Sequence, residues 1–309
     1  MLALLQAQRL LHPVNGAGLL CRGRAATTLE NSVAVVPPAI TWLAGGFCLH
    51  NVEATLLGTL QARVAEQRER MPLLHDAVAP RILQQLGCAL RPEPMPGAYR
   101  RAAFRSATID CWVGTFLAAN DGGTIVEIGV GLNTRFERLD AAHGAEGKTE
   151  NGRWIEIDLP RVNQLRKHVL EASTRRQPLA ASITALDWLD VVAASPGPYC
   201  FVAEALLGYL AGPMVRWVLE AIASRFPGAT IIFDTHPRWH IVAGQLVLER
   251  EATSGQSDQI IDAIAAWSTT FKLLDTVPLW PQALLEHTAI GYQRQQARWS
   301  SVLTRWVTT

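Results

Sequence analysis

The sequence predicts an α/β fold: a mostly parallel β-sheet with helices on both faces. Three observations carry this prediction. From residue 124 onward, short β-branched runs alternate with helical periodicity, which is the pattern of strand–helix–strand units. Ile125, Val126 and Ile128 form an apolar run that breaks into Gly129-Val130-Gly131. Glycine at such a turn permits backbone angles closed to other residues and lets a ligand approach the main chain. Three later apolar runs end in an acid, at Asp158, Glu204 and Asp234. In parallel sheets the carboxyl ends of the strands form the ligand-binding edge, so these acids mark where chemistry is expected.

Bulk properties allow such a domain. The chain has 309 residues, of which 49% are apolar and 18% charged, enough to bury a sizeable core and too few charges for wholesale disorder. The formal net charge is +1 with no basic block, which argues against a nucleic-acid surface. Cys21, Cys48, Cys88, Cys111 and Cys200 are odd in number and scattered. They suit reduced thiols in a cytoplasmic protein, and no metal-ligand spacing is present.

The elements follow in order. Residues 1–50 read as an extension: Arg9, Arg22 and Arg24 occur with no acid before Glu30, and Gln6, Gln8 and Arg9 interrupt the apolar start. Residues 33–49 are uncharged, but prolines and glycines break them, and 17 residues fall short of the roughly 20 needed for a membrane span. Residues 51–120 read as a helical cap. Val52, Leu56, Leu57, Leu60 and Val64 recur at helical spacing, Pro72 and Pro80 bracket a second segment, and Ile109, Val113, Phe116 and Leu117 mark a third helix carrying Arg105. Residues 121–309 form the sheet domain. Strands are expected at 124–128, 154–158, 181–184, 199–204 and 229–234, with further strand-like runs at 271–277 and 288–292. Helices are expected around Val162, Leu165 and Val169, around Val215 to Phe226, and around Ile260, Ile261 and Ile264.

The acids at the strand ends decide the cofactor class. Glu127, Asp158 and Glu204, with Asp187 just beyond the third strand, bring four carboxylates to one edge. Such a cluster is costly unless it meets donors. Ribose hydroxyls, an adenine amino group and an α-ammonium supply them, whereas a pyrophosphate would be repelled. The turn also lacks the third glycine of a dinucleotide fingerprint, and Asp158 lies farther on than the usual spacing of about 20 residues. These features tilt the cofactor from NAD towards S-adenosylmethionine.

Long motifs then resemble one family. VEATLLGTLQAR with LLHD (52–63, 73–76), RSATID (105–110), VEIGVGLNTRFERLD (126–140) and WIEIDLPRVNQLRKHVL (154–170) appear in order, followed by SITALDWL (182–189), EALLGYL (204–210) and RFPGATIIFD (225–234). Together they resemble the leucine carboxyl methyltransferase family, especially its polyketide O-methyltransferase branch. The resemblance implies a class I methyltransferase fold, Rossmann-like, with a seven-stranded sheet whose last strand is antiparallel and a helical segment forming part of the acceptor pocket. It implies that Gly129 and Gly131 underlie the methionine part of S-adenosylmethionine and that Asp158 accepts from the ribose. Asp187 and Trp188 would bound the adenine, Glu127 and Glu204 would face the cofactor, and Arg105 and Arg63 would hold its carboxylate. The family commonly has Glu-Gly after the fourth strand, where this chain has Glu204-Ala205.

Methyl transfer from a sulfonium needs nucleophile, carbon and sulfur nearly collinear, so orientation and water exclusion dominate. A carboxylate acceptor needs no base, while a phenol or alcohol needs one; His236 is the candidate base, and Tyr209 is the candidate to orient an acceptor carboxylate. The expected activity is O-methylation of a small, polyketide-like acceptor. Alternatives are a protein C-terminal carboxyl methyltransferase, an NAD(P)-dependent oxidoreductase and a non-catalytic cofactor-binding partner. No nucleic acid and no membrane span are expected, and the oligomeric state is open.

Overall fold

A computed structural model describes residues 40–50, 53, 55–94, 97–143, 152–235, 239–242, 245–248, 257–279 and 302–309. The described chain opens with β1 (Ile40–Trp42) and β2 (Cys48–His50), an antiparallel pair. Three helices follow: α1 (Leu56–Glu66), α2 (Ala79–Gln85) and α3 (Ala98–Ala119). Residues 72–78 are irregular, and α2 starts at Ala79 with Pro80 in its first turn, where the missing N–H costs nothing.

Seven strands then build one sheet around β3 (Thr124–Ile128). After α4 (Arg135–His143) come β4 (Arg153–Asp158), α5 (Pro160–Val169), β5 (Arg176–Ala180), α6 (Trp188–Ala193) and β6 (Tyr199–Ala203). Next are α7 (Gly212–Arg225), β7 (Thr230–Asp234), the hairpin β8 (Trp239–Val242) and β9 (Gln245–Leu248), α8 (Ser257–Ala265), β10 (Phe271–Pro278) and β11 (Val302–Thr308). The sheet order is β10-β11-β7-β6-β3-β4-β5. Strands β5, β4, β3, β6 and β7 run parallel to their neighbours, and β11 is antiparallel to both β7 and β10. This is the class I methyltransferase arrangement, with the final strand reversed. Strand order turns back between β3 and β6, and a crevice opens there.

One expected strand needs correction, and another lies outside the described residues. The third strand is residues 176–180, not 181–184; the latter run leads into a short 3₁₀ turn at Ile183–Ala185. Its sequence, Arg-Gln-Pro-Leu-Ala, is half exposed at the sheet edge, so no apolar run announces it, and an edge strand tolerates Pro178. The reversed strand is Val302–Thr308, whereas residues 288–292 lie outside the described residues.

The parallel strands read as near-continuous apolar runs because both faces are covered; all five residues of β3 are buried. On one face Ile125, Cys200, Val202 and Ile232 meet Ile109, Val113 and Phe116 of α3 and Phe136 of α4. On the other, Val126, Ile157, Phe201 and Phe233 meet residues of α6, α7 and α8. A separate core joins α1 and α2 to α5 and to Leu132 beyond the glycine turn. The cap is thereby packed beside the crevice.

Candidate active site

The crevice is lined from three sides. The glycine turn after β3 supplies its floor, the loop after β6 one wall, and α1 with its preceding residues the other. Together with its open mouth it spans about 820 Å³.

The turn is shaped by its glycines. Gly129 and Gly131 have φ of +64° and +53°, and the Gly129 N–H donates to Ile157 O at 2.8 Å. A Cβ at Gly129 would fall 2.6 Å from Leu206 Cδ1, so the β6 loop packs this closely on the floor because the position is glycine. The Gly131 N–H donates to Asp158 Oδ2 at 2.7 Å, and the Leu159 N–H donates to Oδ1 at 2.7 Å. Each carboxylate oxygen can accept two hydrogen bonds, so Asp158 retains capacity for two more donors on the cleft side. Burial raises its carboxyl, against the pull of those two N–H groups, and Glu53 pushes in the same direction as burial.

Glu204, just past β6, is the hub of the opposite wall. It accepts from Arg105 Nε at 3.1 Å, Ser106 Oγ at 2.6 Å, Asn133 Nδ2 at 3.1 Å and Arg135 Nη2 at 2.6 Å. Burial alone would raise its carboxyl, but Arg135 and Arg105, with the Ser106 hydroxyl, outweigh it and hold Glu204 well below the usual carboxylate range. Arg105 also pairs with Asp234 at 3.4 Å. Asp234 in turn accepts the Ala205 N–H at 2.6 Å, which anchors a residue at φ +52°. The Glu204-Ala205 departure thus places an alanine in a left-handed conformation that favours glycine.

Around this hub runs a buried ionic network. Arg135 pairs with Glu127, Glu204 and Asp110; Arg138 joins Asp110 to Asp76; Arg63 pairs with Asp76 at 2.9 Å and donates to Leu132 O. Thr134 Oγ1 donates to Asp76 at 2.6 Å. Four guanidiniums face five carboxylates, one net negative charge before Asp158 is added.

Of the residues expected from sequence, Arg63, Arg105, Glu127, Gly129, Gly131, Asp158, Glu204 and Tyr209 all line the cleft. Asp187 and Trp188 do not: Asp187 is exposed at the start of α6, and Trp188 is buried in the core with Nε1 donating to Ile183 O. Glu127 is held by Arg135 and by Trp154 Nε1 at 3.1 Å. Arg63 and Arg105 each serve carboxylates of the protein itself. His236 lies outside the described residues. Asn133, Arg135, Ser106, Asp110 and Asp76 escaped sequence reasoning. The first four sit inside the quoted motifs LNTR and RSATID and Asp76 in LLHD, so position was legible while partnership was not.

The residues fit S-adenosylmethionine by the chemistry of the donor set. The cleft offers carboxylate acceptors and a net negative surround, suited to a ligand carrying hydroxyls, an ammonium and a sulfonium, and its glycine turn exposes main chain that a ligand can approach. The sequence comparisons agree. Residues 56–223, over half the chain, match the family model described as leucine carboxyl methyltransferase. The sequence is 31% identical over 192 residues to the tetracenomycin polyketide synthesis O-methyltransferase of Streptomyces glaucescens, covering 62% of this chain and 68% of that one. Among solved structures, the S-adenosylmethionine-bound magnesium protoporphyrin IX methyltransferase of Synechocystis PCC 6803 aligns with a TM-score of 0.43 at 10% identity, covering 81% of this chain and 97% of that one.

Proposed function

Given that the chain belongs to the leucine carboxyl methyltransferase family and is an S-adenosylmethionine-dependent O-methyltransferase, we propose that its acceptor is a small, polyketide-like acid or phenol. The observation that carries this reading is the lining of the cleft. Leu56 and Thr59 of the cap and Leu206 and Tyr209 of the β6 loop face the glycine floor, a mixed apolar and hydroxyl lining suited to a compact ring system. The resemblance to a polyketide O-methyltransferase points the same way.

Bound S-adenosylmethionine supplies an electrophilic methyl group on a sulfonium. In our reading Asp158 accepts from the ribose hydroxyls, using the acceptor positions that Gly131 and Leu159 leave. Gly129 and Gly131 let the main chain approach the methionine portion. Arg105, anchored by Glu204 and Asp234, would hold the cofactor carboxylate, and Arg63 steadies the adjoining loop. The cap excludes water, and alignment of the reacting atoms supplies the main rate gain, part of the roughly 7–11 kcal/mol available from positioning. A carboxylate acceptor is already ionised near neutral pH, so the site then needs no general base. For a phenol, Tyr209, 39% exposed at the cleft, orients the hydroxyl.

The test is transfer of labelled methyl from S-adenosylmethionine to a panel of aromatic acids and phenols, run beside a peptide with a free C-terminal leucine. Turnover of the small acceptors alone is expected. Transfer to the peptide alone would move the protein to the carboxyl-terminal methylation that the family's description names.

A further inference from the structure

Beside the cleft-lining Glu127 lies a second buried carboxylate, Glu156, that the site described above does not use. Parallel pairing sets Glu127 of β3 directly opposite Glu156 of β4, and both carboxylates are 2% exposed. Two like charges side by side in the core each require a cation. Glu127 takes Arg135. Glu156 takes Arg166, ten residues on, from the buried face of α5. Arg166 is itself 2% exposed, yet only one edge of its guanidinium faces Glu156.

The other edge reaches the loop after the glycine turn. Arg166 Nη1 donates to Gly131 O at 2.8 Å and to Asn133 O at 2.9 Å. The intervening carbonyl, Leu132 O, is taken by Arg63 from the cap. Three successive carbonyls are therefore gripped by arginines from opposite sides. The Gly131 N–H is meanwhile held by Asp158, so both peptide planes flanking the Gly131 Cα are fixed and its φ of +53° is locked. Fixing Asn133 also sets its side chain, which donates to Glu204 across the crevice.

We infer that Arg166, backed by Glu156, is a positioning residue for the cofactor. It holds the loop of residues 131–133 in the shape that aims Asp158 and Asn133 at the cleft, without touching the ligand itself. Glu156, Asp158 and Arg166 come from one β4–α5 unit, so a single motif would supply the ribose acceptor and the strut that shapes the turn beside it. Arginine is needed because one planar fork serves two carbonyls and a carboxylate at once, which a lysine ammonium on a single point cannot reproduce.

The inference rests on the proposed cofactor site, and two readouts keep them separable. Hydrogen exchange of the ligand-free protein follows the amides of residues 129–134, and calorimetry with S-adenosylhomocysteine follows binding. Arg166→Met should speed exchange in that loop at least tenfold, leave β11 protected and weaken S-adenosylhomocysteine at least tenfold. Arg166→Lys should recover part of both, and Glu156→Gln, which keeps shape and removes the charge, should show the same changes in smaller measure. The two milder variants carry the test should Arg166→Met not fold. Unchanged loop exchange in them, or acceleration spread evenly over the sheet, would overturn the inference. Absence of S-adenosylhomocysteine binding by the unaltered protein would instead strike the proposed cofactor site, with the exchange comparison still deciding the strut.

Discussion

At Ala205 the backbone adopts φ +52°, a conformation that costs an L-residue with a Cβ about 1–2 kcal/mol. The bond from its N–H to Asp234 holds it there. Ala205→Gly should therefore stabilise the fold by up to about 1 kcal/mol, after allowing for the greater freedom of glycine in the unfolded chain; urea denaturation measures it. Asp158 offers a second residue-scale prediction. Burial raises its carboxyl, so it protonates at higher pH than an ordinary aspartate near 3.9. The ionised form provides the acceptors, so affinity for S-adenosylhomocysteine is complete above the raised pKa and is lost as pH falls through it. Asp158→Asn should flatten that pH dependence, and Asp158→Ala should cost about 1–3 kcal/mol of binding through the lost charge-assisted hydrogen bonds. Calorimetry at several pH values follows both. An Asp158→Asn protein with the slope of the unaltered one would show that Asp158 only caps the turn.

Between elements, charge does what apolar packing cannot. Helices α1, α3 and α4 are tied to one another through Arg63, Asp76, Asp110, Arg135 and Arg138, none of which contributes to an apolar cluster. Arg135 is fully buried and serves three carboxylates. Removing one member of such a network leaves buried charges unpaired, so Arg135→Met should destabilise the protein by about 3–5 kcal/mol. Arg216→Ala, which removes an exposed pair within α7, should stay within about 0.5 kcal/mol. Parallel thermal melts compare them. These pairings explain the limits of sequence reading. Gly129, Asp158 and Glu204 were legible because each sits at the end of an apolar strand, where local pattern and function coincide. Asp76 lies 58 residues from Thr134, and nothing local in either announces the bond. Arg105 and Arg63 line the cleft, but nothing local in the sequence announces their carboxylate partners within the chain. Trp188 carries a motif and yet buries its ring in the core, since an aromatic at the start of a helix reads alike in either role.

At the scale of the molecule, the carboxyl ends of β3, β4 and β6 bring Gly129, Gly131, Asp158 and Glu204 to one cleft. Alternation of strands and helices predicted the parallel layers, and the acids at the strand ends predicted the edge. The half-exposed edge strand β5 and the reversed strand β11 needed the three-dimensional register, because neither follows the buried apolar run that marks the central strands. Among the described residues no helix is long and apolar enough to cross a membrane. The central claim is that the crevice between β3 and β6 seats S-adenosylmethionine with its ribose on Asp158. A crystal structure with S-adenosylhomocysteine bound tests it most directly. The account predicts both ribose hydroxyls within about 3 Å of the Asp158 carboxylate, with the homocysteine end over Gly129–Gly131 and beside Arg105. A ligand seated elsewhere, or bound in the crevice with its ribose away from Asp158, would contradict it.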